Sequence, residues 1–373
     1  MTPMQELHES FRVLGTVARP TRWSTPIGLP AIRQELARAS RPGSAQAPGT
    51  RWEYEYPNLD EAPAAATACE AALRRVGPEL HEHELWAFRT VLDEARASIA
   101  RAKNHTAAAV TECSIQAHGL PTPEGVAEAR GILTSPAGEQ PGETVSDERL
   151  ADAMKAALAR LGIDGWSVDL ADRKAADMSV IGGRHRVELR RGARFAPEAV
   201  AQLLVHEIGT HVLRRHRAEQ QPSYPVRFAP GPALRTEEGL AVWREGQARV
   251  GFPARDRIYA ARVIAVDLAL RAGITEVVGA LAEHLSVETA VSIAIRVKRG
   301  LANPHEPGAN VKDHVYFSGS RIVGAHLSQH PDDLGLLFAS KWPLEELWRV
   351  RELAEAGLVH PVPTELTDPR IVL

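Results

Sequence analysis

The sequence predicts an α+β fold that is mostly helical, with one small antiparallel sheet packed on a histidine-bearing helix. Three observations lead there. Apolar residues recur at three- and four-residue spacing over most of the chain, β-type alternation is confined to residues 166–190, and Pro/Gly-rich breaks separate the helical stretches. With 373 residues, 44% hydrophobic and 24% charged, the chain reads as an ordinary globular protein able to bury a substantial core. A formal net charge of −3 provides no basic excess for nucleic acid, so none is expected as a partner. No run approaches the roughly 20 apolar residues of a membrane helix. The first twenty residues carry acidic side chains without a long apolar core, and Cys69 and Cys113 read as reduced thiols; a cytoplasmic location is the expectation.

Residues 1–60 read as an irregular amino-terminal arm, because Pro, Gly and Ser interrupt one short helical pattern at 31–39. Residues 61–145 read as a helical region in which HEHELW, residues 81–86, is a solvated face, since His81 and His83 diverge on a helix. A second Pro/Gly break runs from Gly119 to Ser146, and Ser146 is a natural N-cap for DERLADAMKAALARLG. WSVDLAD, MSVI and RHRVELR then alternate, with Gly182-Gly183 as a two-residue hairpin link. A helix beginning near Pro197 follows, and helical patterns recur at 236–249, 257–272, 275–284, 287–299, 331–339 and 343–356. Residues 146–330 are the expected core, and 331–373 an added helical tail.

The Pro197 helix contains AQLLVHEIGTHVLRR. His206 and His211 are five residues apart, which on a straight α-helix turns them about 140° from each other. Two readings are open: separate histidines with separate surroundings, or a metal pair on a locally bulged helix. A π-bulge winds i to i+5 and would bring both rings to one face, with Gly209 tolerating the altered backbone. Catalytic zinc takes three protein ligands and keeps a fourth position open. RTEEGLAVW supplies the third if Thr236 caps a new helix; Glu237 and Glu238 then point about 100° apart, so one of them reaches the metal. Glu207, beside the first histidine, is positioned as a base.

HEIGTHVLR followed by TEEGLA resembles the microtubule-associated tyrosine carboxypeptidase family, whose other members carry the labels QEGLA-motif and flavohaemoglobin expression-modulating protein. Glu-Tyr-Pro in WEYEYP, Arg214, Gln221-Pro222, YAARVIAVDLAL, RVKRGL and KDHVYFSG are similar to family blocks in family order, across residues 50–325. The pattern departs at Arg217-Ala218. The resemblance implies a zincin-like metallopeptidase core holding one zinc ion on His206, His211 and Glu238, with Glu207 as catalytic acid/base and Glu237 where the family allows Gln. It implies a carboxypeptidase acting on the C-terminus of a peptide or protein, with tyrosine or another aromatic as the leaving residue.

An exopeptidase must hold a terminal carboxylate, which guanidinium and ammonium groups do well. On the resemblance, Arg296, Arg299 and Lys312 are the candidates, although basic residues also suit the helix end at 296–300 electrostatically. Tyr316 is the candidate donor to the developing oxyanion. Two alternatives accompany this reading: a zinc peptidase of another specificity that matures a ribosomally made peptide, and a non-catalytic zinc-binding regulator.

Overall fold

The computed structural model describes residues 1–17, 24–40, 51–55, 60–101, 104–135, 144–172, 177–251 and 253–373. Tyr56 and Pro57 of the WEYEYP block, and the Pro/Gly-rich stretches 41–50 and 136–143, lie outside the described residues. Helices dominate, with a small sheet of few strands. The chain forms two compact units, one of Met1–Leu80, Phe88–Pro136 and Arg257–Val315, the other of His81–Ala87, Ala137–Asp256 and Tyr316–Leu373. Among the described residues no helix is long and apolar enough to cross a membrane.

In the first unit, Leu7, Phe11 and Leu14 make a buried stripe that seats the helix Pro3–Val17 against Glu61–Val76. The segment expected to be an irregular arm is therefore partly helical, and Leu29–Ala39 adds a second helix. The Gly119–Ser146 break also contains a helix, Pro123–Thr134. Thr122 caps it by accepting from Gly125 N at 3.1 Å, and a proline at the first helical position gives up only an N–H that has no helical partner.

In the second unit, Ser146 caps Asp147–Arg160 as the sequence requires, its Oγ accepting from Arg149 N. Among the described residues the strands are β1 (Val145–Ser146), β2 (Ser167–Ala171), β3 (Met178–Ile181), β4 (Arg186–Arg190) and β5 (Arg194–Phe195). The three-stranded sheet has the order β2-β4-β3 and is mixed, which corrects the antiparallel expectation. β3 pairs with β4 antiparallel, but β2 pairs with β4 in parallel. Alternation determines which side chains share a face, whereas strand order depends on packing that a local pattern does not contain. The link between β3 and β4 is also longer than two glycines. Gly182–Arg184 makes a 3₁₀ turn, and His185 takes a left-handed conformation at φ 48° before β4 begins.

Val187 and Leu189 of β4 are fully buried and share a core with Leu150, Met154 and Leu158 of the capped helix. Leu204, Ile208 and Val212 of the histidine-bearing helix join the same core. Each such side chain contributes about 1.5–3 kcal/mol on burial, so this helix is anchored along its length rather than at its ends.

A further helix absent from the sequence reading, Val315–Gln329, crosses Ala233–Ala248 at a pair of glycines. A Cβ on Gly239 would lie 2.5 Å from Gly319 O and 2.7 Å from its Cα. The two backbones touch there, which brings Glu238 to the same crossing as Tyr316. Gly239→Ala is therefore expected to destabilise the protein by about 1–3 kcal/mol, read as a lower urea midpoint. An unchanged midpoint would contradict the close crossing.

Candidate metal centre

The helix that begins at Pro197 changes winding at Leu204 and runs as a π-helix to Val212 before returning to α geometry over Leu213–Glu219. Leu213 N donates to Ile208 O, five residues back, and Thr210 Oγ1 donates to Val205 O at 2.9 Å. The extra residue between the histidines is absorbed here. Their ring centroids lie 4.8 Å apart at an interplanar angle of 79°. Gly209 serves this winding in a different way from the one expected. Its φ is not in the left-handed region; a Cβ would instead meet Val372 at 3.3 Å and Arg244 Nη1 at 3.5 Å. The Arg244 guanidinium also donates to Gly209 O and, through Nη2, to Thr367 O at 2.8 Å.

The opposing side chains come from Ala233–Ala248, which starts three residues ahead of Thr236. Thr236 is thus inside the helix and not its cap, and its hydroxyl accepts from Leu344 N at 2.8 Å. Glu238 faces the histidines. Its Oε2 lies 3.3 Å from Nε2 of His206 and 3.3 Å from Nε2 of His211. The Nδ1 atoms face away, and each meets a carboxylate: Glu245 Oε1 at 2.5 Å from His206, and Glu237 Oε1 at 2.7 Å from His211. A carboxylate on Nδ1 keeps the proton there and turns the Nε2 lone pair toward the shared centre.

Each of these carboxylates is itself held. Gln202 donates to Glu245 Oε1 at 2.6 Å. Glu237 Oε2 accepts from Arg214 at 2.6 Å, and its Oε1 pairs with Lys341. Arg214 is fully buried and also donates to the carbonyls of Leu337, Ser340 and Trp342. Residues 331–373, expected to be an appended tail, supply much of the wall of this site.

Burial alone would pull both imidazoles down. Hydrogen bonds donated to Glu238 and Glu245 overcome it at His206, holding the ring up at about 9, and those donated to Glu237 and Glu238 do the same at His211, up to about 10. Burial would raise Glu238, but the two imidazoles hold it well below the carboxylate range. The surroundings therefore favour positive charge between the rings and Glu238. Donor atoms of His206, His211 and Glu238 lie within 4.8 Å of one another. Ligand bonds of about 2.0–2.1 Å at tetrahedral angles put neighbouring donors about 3.3–3.4 Å apart, which is the spacing of each Nε2 from Glu238. A small divalent cation fits these residues.

The remaining candidates divide between the units. Glu207 is partly exposed, one residue from His206 on the π-helix. The Tyr316 hydroxyl donates to Glu238 Oε1 at 3.1 Å. Arg296, Arg299 and Lys312 belong to the other unit. There the Arg296 guanidinium binds Asp313 through two nitrogens and Arg299 lies 3.8 Å from the same carboxylate. Burial would raise Asp313, but these arginines hold it far below the usual range. Lys298, in the same basic run, is buried and donates to the carbonyls of Ala269, Ala272, Glu306 and Gly308. HEHELW is also not a solvated face, because His83 is buried with Nε2 2.8 Å from Glu352 and Nδ1 accepting from Arg349.

Sequence reasoning missed Glu245, although its spacing of seven from Glu238 puts both on one helix face. It missed Lys341 for want of any local signal: a lone lysine a hundred residues downstream carries no spacing to read.

The family model for microtubule-associated tyrosine carboxypeptidase matches residues 84–369, and the chain belongs to that family. The match extends well past residue 325 and takes in Lys341. "Microtubule-associated tyrosine carboxypeptidase 1" of Mus musculus is 30% identical over 142 residues, which is 36% of this chain and 29% of that relative. The aligned part thus spans less than a third of the relative's length.

Metal analysis checks the geometry. His206→Ala, His211→Ala and Glu238→Ala are each expected to abolish stoichiometric divalent-metal binding. Glu245→Ala and Glu237→Ala should still bind, with affinity lower by about 10–100-fold in chelator competition. Loss of metal in Glu237→Ala together with retention in Glu238→Ala would reverse the assignment.

Proposed function

We propose that this chain is a zinc-dependent carboxypeptidase that removes a C-terminal residue, tyrosine or another aromatic, from a protein or peptide. The observation that carries the reading is the single Glu238 oxygen 3.3 Å from both Nε2 atoms, with a separate carboxylate fixing each Nδ1. Two imidazoles and one carboxylate form a donor set that suits zinc and leaves a coordination position open.

Zinc bound there would supply Lewis acidity, polarising the scissile carbonyl and acidifying water. The chain's own groups do the rest. Glu207 is not among the converging donors, so its carboxylate is available to take a proton from the attacking water. As the water oxygen bonds to the carbonyl carbon and the C–N bond breaks, Glu207 returns that proton to the departing amine. Tyr316, whose hydroxyl donates to Glu238, is the donor to the oxyanion that forms between these steps in this reading. Glu245 and Glu237 keep both imidazoles in one tautomer throughout, and Gln202 and Arg214 keep the two carboxylates in place. The resemblance assigns the terminal carboxylate to Arg296, Arg299 and Lys312; the family name supplies the aromatic preference.

Glu207→Gln tests the division of labour. The amide is isosteric and cannot take up the proton, so turnover of a tyrosine-terminated peptide should fall about 10²- to 10⁴-fold with metal content unchanged. Mass spectrometry of the products should show shortening from the C-terminus alone. Internal cleavage, or full activity in the variant, would overturn the mechanism.

A further inference from the structure

The side chains around the metal cluster differ in how far they are closed off. Arg214, His206 and Glu245 keep 0%, 3% and 4% of their side-chain surface, whereas Glu238, His211, Glu237 and Lys341 keep 11%, 12%, 12% and 13%. These last four also touch in sequence: Glu238 to His211, His211 to Glu237, Glu237 to Lys341. They are the less enclosed members of the cluster, and Lys341 ends the row.

Charge is not balanced at that end. Arg214 and Lys341 both pair with Glu237, so two cations share one carboxylate and one positive charge is left over within the group. Arg214 spends its other nitrogens on the carbonyls of Leu337, Ser340 and Trp342, so its donors are used up. An ammonium has three N–H groups. Among the described residues Glu237 is the partner of the Lys341 ammonium, leaving N–H groups for a ligand. The backbone there is fixed, with Lys341 N donating to Val226 O at 2.7 Å and the buried Trp342 indole donating to Pro225 O at 3.1 Å. A largely buried ammonium on a rigid segment, whose one carboxylate is shared with Arg214, can take a second anion on its remaining N–H groups.

We propose that Lys341 receives the terminal carboxylate of the substrate peptide. The proposal rests on the carboxypeptidase reading and adds the residue that makes it an exopeptidase. The carboxylate carbon of a leaving residue is three bonds from the scissile carbonyl carbon, within about 4 Å of it. Lys341 lies one bridging carboxylate beyond His211, since both bind Oε1 of Glu237. Glu237 therefore has two tasks, orienting a ligand and holding the ammonium at the mouth. Arg296 and Arg299, by contrast, already face Asp313.

The test uses an acetylated tripeptide ending in tyrosine, as the free acid and as the C-terminal amide. Wild-type protein is first assayed for tyrosine release from the free acid; no release would refute the carboxypeptidase reading itself, whatever Lys341 does. Binding of both peptides is then measured by calorimetry in the metal-loaded Glu207→Gln protein, where the free acid should bind at least about tenfold more tightly. Adding Lys341→Met should bring that ratio close to one, with metal content retained, and Lys341→Arg should restore it. A ratio unchanged by Lys341→Met, or one lost on Lys312→Met instead, would overturn the proposal. Should Lys341→Met fail to fold, acetylation of wild-type lysines read by mass spectrometry decides: the free acid should slow labelling of Lys341 and the amide should not. Equal labelling with both would overturn the proposal.

Discussion

The i to i+5 winding of Leu204–Val212 is the constraint on which the site depends. On an α-helix the two histidines diverge; on this segment they face one oxygen of Glu238. π geometry is rarely stable without help. Here the help is visible: Leu204, Val205, Ile208 and Val212 are buried in the core of the unit, Thr210 bonds back to Val205, and Arg244 ties Gly209 to Thr367. The lack of a Cβ on Gly209 lets Val372 and Arg244 close over the winding. Changing its length by one residue would alter the face of every residue after it.

Around this winding the charges are arranged in pairs of opposite sign. The imidazoles sit between Glu238 on one side and Glu245 and Glu237 on the other, and those two are held in turn by Gln202, Arg214 and Lys341. Buried charge is tolerable only when every member has a partner. The carboxylates pull the two rings toward their charged form, and the rings in turn pull Glu238 away from its neutral form. Arg214 extends the arrangement into residues 337–342, so the end of the chain helps to hold the candidate site as well as the fold.

Much of this was legible before the structure. The irregular spacing in HEIGTH called for a bulge, TEEGLA offered a carboxylate, and Ser146 announced its helix. What stayed hidden depended on tertiary packing. Alternation at β2 says nothing of a parallel partner, and TPEG carries both helix-breaking residues and a cap, of which the Thr122 cap prevails in the fold. Thr236 looked like a cap but is a mid-helix residue whose hydroxyl serves Leu344. Arg296 and Arg299 read as ligand-seeking cations, yet both face Asp313 in a unit of their own, where Lys298 beside them donates to four backbone carbonyls. Lys341 had no local signal at all, and only folding brings it to Glu237.

The central claim is that the bulged helix delivers both imidazoles, with Glu238, to one metal ion. X-ray absorption at the zinc edge of the metal-loaded protein measures this directly. The account predicts a shell of nitrogen and oxygen donors at about 2.0–2.1 Å, with outer-shell scattering that requires two imidazoles and no sulfur. A first shell fitted by a single imidazole, or one containing sulfur at about 2.3 Å, would contradict it.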